Sequence, residues 1–335
     1  MRQDGIGAAP RRFAALWAWL AAAFAITVWS VTFASTRVLL RDYSSLEIMV
    51  LRLVIAWAVL KGVEAFGRPR AKGETARRAT WRDERLFAGM GFAGVAAYHL
   101  LENCAVYYTN ASNVAILTSF APITTAVLAK LVRKDRSFTP AFVVGSAVAI
   151  CGVAMVSLDG VKELSLHPAG DLMAVASMAS WGVYSVLLDT ANERGYPQMF
   201  VMERAIFWAI VMMAPFVLWG MTGEGGRALD GSFRIVLGAK ANLERLMRPE
   251  NWSNIGFLGV MASAASFVLW NHACKVIGVV KVSAWLYLTP VAGVVFAVLM
   301  LGERLTVMSA MGGVVTTLGA ALAVRKSGGV SAQTR

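Results

Sequence analysis

Charge is scarce in this 335-residue chain: 16% of its residues are Asp, Glu, Lys or Arg, and 57% are apolar. A soluble globular domain carries about 25% charged residues, so the balance excludes an ordinary soluble enzyme. Cysteine is scarce as well. Cys104, Cys151 and Cys274 all fall inside apolar blocks with no CxxC pair, which argues against a disulfide framework, haem attachment or a zinc site. There are three histidines and no HExxH, and no GxxxxGK(S/T) loop through which ATP would act directly. No cofactor and no metal are expected. The basic surplus, 32 Lys and Arg against 20 acidic residues, sits between apolar blocks and reads as membrane topology, not as a nucleic-acid surface.

What the chain does have is a series of apolar blocks, many long enough to cross a ~30 Å hydrocarbon core as helices. Ten spans are expected, near 14–38, 45–66, 86–107, 111–132, 140–158, 170–189, 198–220, 254–275, 279–301 and 307–325. The ten-residue polar/apolar alternation of a membrane barrel is missing. The first block is read as a retained helix, because it is long and carries Trp17, Trp19 and Trp29 without a small-residue cleavage site. Lys and Arg number 21 in the segments on the N-terminal side of the membrane and 9 on the other, with Arg52 and Arg204 inside helices. That bias places both termini in the cytoplasm of a bacterial-type inner membrane.

An internal repeat organises the spans. Trp29-Ser-Val and Arg52 recur as Trp181-Gly-Val and Arg204, displaced by 152 residues; Asn103, Pro122, Arg136 and Gly145 recur as Asn271, Pro290, Arg304 and Gly313, displaced by 168. An enlarged outer loop, 221–252, absorbs the difference. Five spans per half is an odd number, so the second copy enters the membrane from the opposite side. This inverted-topology arrangement is one that secondary transporters use, with sites near the midplane between the copies. The expected fold is therefore all-α, ten transmembrane helices in two five-helix inverted repeats. A tail at 1–13 precedes a first repeat at 14–160, and a second repeat at 161–326 is followed by a tail at 327–335.

Several residues inside spans carry chemistry. His99, Glu102 and Asn103 form a polar stripe on span 3, matched on span 8 by Ser263, Ser266, Trp270, Asn271 and Cys274. Such stripes line a wet pathway, or alternatively bond a neighbouring helix. Asn103 and Asn271 offer donors and acceptors without a buried charge, which suits a polar or zwitterionic ligand. Trp29, Trp181, Tyr184, Trp270, Trp285 and Tyr287 lie well inside spans, as packing or as the apolar wall of a small-molecule site. Glu102 is the candidate proton carrier. Pro122 and Pro290 are candidate mid-helix kinks. Arg37, Arg52 and Glu47 toward one side, with Asp189, Arg204 and Glu203 toward the other, are snorkelling anchors or gate ion pairs, and as a gate Asp189 would pair with Arg204 only when the inner side is shut.

The run Trp-Ser-Val-Thr-Phe at 29–33, the Asn-Ala-Ser-Asn-Val-Ala-Ile-Leu at 110–117 leading to Pro122, Trp-Gly-Val-Tyr at 181–184, Leu-Thr-Pro at 288–290 and Leu-Gly-Glu-Arg-Leu at 301–305 resemble the drug/metabolite transporter superfamily, EamA type. The resemblance covers about 14–326. It implies ten helices in two inverted halves around a central cavity, in a family exporting amino acids, other small metabolites or drugs. Val-Arg-Lys-Asp-Arg at 132–136 stands where that pattern has Leu-Gly-Glu, and the long outer loop is a second departure. The expected protein is a secondary transporter, not an enzyme, exporting a small metabolite such as an amino acid by alternating access, as a monomer or homodimer in the lipid bilayer. A multidrug or cationic-compound exporter is the alternative. From a different class, a non-catalytic assembly or receptor protein would need no mirrored polar stripes.

Overall fold

Alternation of long apolar runs with polar breaks produces a succession of helices in the computed structural model, which describes residues 8–66, 79–109, 111–135, 137–159, 167–222, 224, 227, 233–236, 239–301 and 305–325. The chain runs through α1 (Ala8–Leu39), α2 (Ser45–Phe66), α3 (Trp81–Gly91), a π-helical stretch (Phe92–Ala97), α4 (Tyr98–Tyr108), α5 (Ala111–Thr118) and α6 (Ala121–Arg133). It continues with α7 (Pro140–Ser157), α8 (Pro168–Glu193), α9 (Gln198–Gly220), a short α10 (Ala239–Leu246) and α11 (Pro249–Gly256). A second π-helical stretch (Phe257–Ala265) leads to α12 (Ser266–Ile277), then α13 (Val279–Ser283), a 3-10 turn (Ala284–Tyr287), α14 (Leu288–Leu301) and α15 (Val307–Arg325). No strand occurs among the described residues.

Among the described residues, eight helices are long and apolar enough to cross a membrane. The protein is therefore an all-helical, multi-pass membrane protein. Two of the ten expected spans are not among the eight. Helix α2 carries Glu47, Arg52, Lys61 and Glu64, and the α3–α4 rod carries Tyr98, His99, Glu102 and Asn103. These polar groups lower the hydropathy of their helices, and they also make both helices interesting as site elements.

Partner choice recurs between the halves. Helix α1 packs on α12 as α8 packs on α4; α2 packs on the second π-helical stretch as α9 packs on α3 and the first; α1 meets α14 as α8 meets α6. Two contacts pair like with like, α2 with α9 and α7 with α15. The two π-helical stretches end at Ala97 and Ala265, a displacement of 168. Pro122 and Pro290 also occupy matching places. Each stands in the first turn of a helical segment that follows a break, at Ser119-Phe120 before α6 and at the 3-10 turn before α14, where a missing N–H is least costly.

The last helix departs from the expected register. Thr139 caps α7 by accepting from the Phe142 amide at 3.2 Å, and Thr306 accepts from the Ser309 amide at 3.0 Å, so α15 follows α7 at a displacement of 167. The tight glycines agree. A Cβ on Gly145 would overlap the backbone at Ala323 and Gly319, and one on Gly152 the backbone at Thr316 and Gly312. Gly313, the expected mate of Gly145, meets nothing closer than the Val291 side chain at 3.5 Å. The residues that let α7 and α15 touch backbone to backbone are Gly145, Gly152, Gly312 and Gly319, the small-residue packing of membrane helices. Arg136 and Arg304, also matched by the repeat, lie outside the described residues.

Candidate functional site

The centre of the molecule is aromatic. Trp29 on α1 and Trp181 on α8, mates in the repeat, meet edge to face with ring centroids 6.2 Å apart. Trp270 and Phe267 of α12 lie 5.2 and 5.3 Å from Trp29; Tyr98 of α4 and Tyr184 of α8 lie 5.5 and 5.2 Å from Trp181. The two indoles differ in one respect. Trp29 Nε1 donates to the Ala262 carbonyl at 3.0 Å, whereas Trp181 Nε1 is buried with no hydrogen-bond partner among the described residues.

On one flank of this cluster polar side chains converge. Tyr98 Oη donates to Glu102 Oε1 at 3.1 Å, and His99 Nδ1 lies 3.7 Å from Glu102 Oε2. The i,i+4 and i,i+3 spacings on α4 bring the three to one face. Arg52 reaches across from α2 and donates through Nε to Ser263 Oγ at 2.8 Å. Protein crowds around Arg52, Tyr98 and His99, yet His99 and Glu102 keep 18% and 20% of their side-chain surface accessible. Asn103, one residue on, is also part-exposed. His99, Glu102 and Asn103 thus combine deep placement with residual accessible surface.

The other flank is packed shut. Tyr184 Oη donates to Asn271 Oδ1 at 2.7 Å, and Asn271 Nδ2 lies 3.8 Å from Met202 Sδ. Tyr184 and Asn271 have no accessible surface, and Trp270 and Tyr287 almost none. The Tyr184 ring occupies the space a Cβ would need at Gly94. The structure thus brings Trp181, Tyr184, Trp270 and Asn271 together, and His99, Glu102 and Asn103 together. It adds Tyr98, Phe267 and Met202, which the sequence reading passed over. Tyr98 was legible from its spacing to Glu102, whereas Phe267 and Met202 look like any apolar residue in a span.

Charges close one end of the bundle. Arg133 pairs with Glu193 and lies 3.5 Å from Asp189; Arg194 pairs with Asp83 at 2.6 Å; Arg204 pairs with Glu84 at 2.7 Å, which also accepts from Trp208 Nε1 at 2.8 Å. Asp189 and Arg204, expected to pair with each other when the inner side is shut, here meet Arg133 and Glu84 instead. Helix α8 packs on α6 and α9 packs on α3, so each charge finds its partner on its own neighbour. Buried Glu203 accepts from Trp57 Nε1 at 2.8 Å, with Lys61 at 3.7 Å.

Glu47 lies fourteen residues before Lys61 on α2, about 21 Å along the helix, and so marks the opposite end. There Arg245 forks onto the Glu47 carboxylate at 3.1 Å, and Arg248 reaches Asp42 at 2.8 Å. Asn251 and Arg248 hold the Asp42 carboxyl below the usual carboxylate range. The side chain of Arg37 lies outside the described residues. Arg52 is five residues from Glu47 and nine from Lys61, so it lies nearer this end. Tyr184 is five residues from Asp189 and lies toward the other.

A family model described as the EamA-like transporter family matches residues 13–158 and again 168–325. An uncharacterized transporter of Archaeoglobus fulgidus is 21% identical, covering 92% of this chain and 99% of its own length. A protein of Streptantibioticus cattleyicolor described as a probable terminal-alkyne amino-acid exporter is 27% identical, with 90% of this chain and 91% of that protein covered. A crystal structure 18% identical in sequence superposes with a TM-score of 0.70 over 91% of this chain and 96% of that one, a likeness of fold. Two matches in tandem, taking in nearly every helix described above, mean that the chain belongs to the EamA-like transporter family.

Proposed function

We propose that the protein is a secondary transporter that exports a small zwitterionic metabolite, such as an amino acid, by alternating access of two inverted five-helix halves, 14–160 and 161–326. One observation carries the reading. A guanidinium (Arg52) and a carboxylate (Glu102), with the neutral amide of Asn103 one residue on, lie deep among the helices beside a cluster of aromatic rings, a group we read as lining one cleft, and the repeat-related flank is sealed. Opposite charges in one cleft suit a ligand bearing both carboxylate and ammonium, and flanking rings suit its side chain. The recurrence of packing partners between the halves supports the inverted repeat, and the odd number of helices per half supplies the inversion. The printed description of the Streptantibioticus relative supports the amino-acid class.

In this reading the cleft faces the side of the α1–α2 turn, which the distribution of Lys and Arg makes the outer side, with both termini cytoplasmic. Tyr184, Asn271, Trp270, Trp181 and Tyr287 seal the inner side and contact substrate after the site has switched. The ion pairs of Arg133, Arg194 and Arg204 act as the inner gate, and Glu47 belongs to the outer one. Glu102 serves as the proton carrier.

Flux into proteoliposomes of amino acids and of cationic drugs, each with and without a pH gradient, tests the proposal. Arg52→Gln and Glu102→Gln are expected to weaken apparent affinity for an amino acid by about 10-fold to 100-fold, since hydrogen bonds to charged groups contribute about 1.5–3 kcal/mol. Asn103→Ala is expected to weaken it about 3-fold to 10-fold. Glu102→Gln should also abolish the response to a pH gradient. Transport of cationic drugs that depends on Glu102 but not on Arg52 would move the assignment to a cation exporter; the acidic group beside the rings is what favours that second reading. Absence of any flux would leave a non-transporting assembly or receptor protein.

A further inference from the structure

The segment between α9 and α11 is the part of the chain the repeat does not account for, and its described residues are tied to the bundle. The Ile235 amide donates to the Gly220 carbonyl at 3.1 Å, and the Val236 amide to Glu47 Oε1 at 2.9 Å. Arg245, at the end of α10, grips Glu47, donates to the Asp42 carbonyl at 2.7 Å and lies over the Tyr43 ring at 4.4 Å. Arg248 and Asn251 hold the Asp42 carboxylate. Asp42 belongs to the turn between α1 and α2. Helix α10 is thereby fixed at the level where those helices end, which in a membrane protein is the boundary between hydrocarbon and headgroups.

On its other face the described side chains are apolar and uncovered. At about 100° per residue, Leu243, Leu246 and Met247 fall within an arc of about 100° turned away from Arg245. They are 62%, 44% and 71% exposed. Trp252 on α11 and Trp219 at the end of α9 are exposed as well, at 58% and 43%, and aromatic residues of this kind favour the interface. A short helix with arginines anchored on one side and large apolar groups on the other, held at that level, has the character of an interfacial helix.

We propose that α10 lies in the bilayer interface, with the Leu243, Leu246 and Met247 face inserted among lipid headgroups and upper acyl chains. The inserted helix couples the lipid surface to the α1–α2 turn through Arg245 and Arg248. Since α2 carries Arg52 two turns below that turn, the mouth of the cleft is held at a fixed depth relative to the membrane. The inference depends on the chain being a membrane protein and not on which substrate it carries.

The test uses the full-length protein in bilayers of phosphatidylcholine and phosphatidylglycerol, with a photoreactive benzophenone amino acid replacing Leu243 and, separately, Met247 or Glu244. Glu244 is exposed but lies outside the apolar arc. Mass spectrometry is expected to find phospholipid adducts at 243 and 247 at least about tenfold above those at 244. Should the Leu243 variant fail to fold, Met247 is the more exposed position and carries the same prediction. A crosslink to a second copy of the chain or to another protein at 243 and 247 would overturn the proposal in favour of a protein-covered face. Equal, low lipid labelling at all three positions would overturn it in favour of a helix standing in water.

Discussion

Residues 98–103 on α4 and 266–271 on α12 hold matching places in the two halves, yet one stretch keeps accessible polar surface and the other is largely packed shut. Tyr98 corresponds to Ser266, His99 to Phe267, Glu102 to Trp270 and Asn103 to Asn271. Polar groups with accessible surface on the first face are replaced by large apolar rings without it on the second. The asparagine is shared, but its surroundings are not: Asn103 is part-exposed, and Asn271 is enclosed with Tyr184 and Met202. The difference shows that the halves share a scaffold while dividing the chemistry. Ionisable groups fall to one copy and the plug of rings to the other.

The largest effect that tests this contrast is expected at Gly94, the mate of Ala262. A Cβ at Gly94 would collide with the Tyr184 ring. Gly94→Ala should therefore disturb the sealed flank and lower stability in detergent by about 1–3 kcal/mol, as overpacking does. Ala262→Gly removes a Cβ without a clash and should cost about 1 kcal/mol at most. If thermal unfolding ranks the two variants equally, the sealed flank is less tightly fitted than the contact of Gly94 with Tyr184 implies.

A smaller effect concerns the bond that ties α8 to α12. Tyr184→Phe and Asn271→Leu, alone and together, form a double-mutant cycle whose coupling should be about 0.6–1.7 kcal/mol, the range found for interhelical hydrogen bonds in membranes. Strict additivity would mean that the 2.7 Å contact contributes nothing to holding the flank shut.

The smallest effect separates the two indoles. Trp29→Phe and Trp181→Phe remove the same volume, but only the first removes a made hydrogen bond, that to the Ala262 carbonyl. The first should be less stable than the second by about 0.5 kcal/mol. The reverse order would show that the Trp181 N–H has a partner in the membrane-embedded protein.

Much of this was legible in the sequence because helix boundaries and membrane burial are local properties. Runs of apolar residues announce themselves within a few positions, whereas Pro122 and Pro290, expected as mid-helix kinks, stand in first turns after a break. The mates Trp29 and Trp181, or Asn103 and Asn271, were visible through constant displacement. Pairing of charges was not. Asp189 and Arg204 were placed on one side of the membrane by the repeat and expected to pair there when the gate is shut, but helix packing sends one to Arg133 and the other to Glu84. Register was missed by one residue at Gly313, because a shortened turn before α15 leaves no trace in an apolar pattern. A one-residue shift rotates a helix by about 100°, which is enough to change which glycine faces α7.

Composition and periodicity by themselves determined that the chain is helical and inserted in a membrane and that it is built on a repeat, and helical spacing put His99, Glu102 and Asn103 on one helix face. These follow from hydrophobic burial and helical geometry, which act over short distances along the chain. Only the tertiary structure decided that the first copy's polar face is accessible while the second copy's is sealed by Tyr184 and Asn271, and that Arg245 and Arg248 fasten the inserted segment to the α1–α2 turn. Those outcomes depend on which helices touch and at what rotation. Contacts between residues more than a hundred positions apart are set by side-chain packing in three dimensions, which no local pattern encodes.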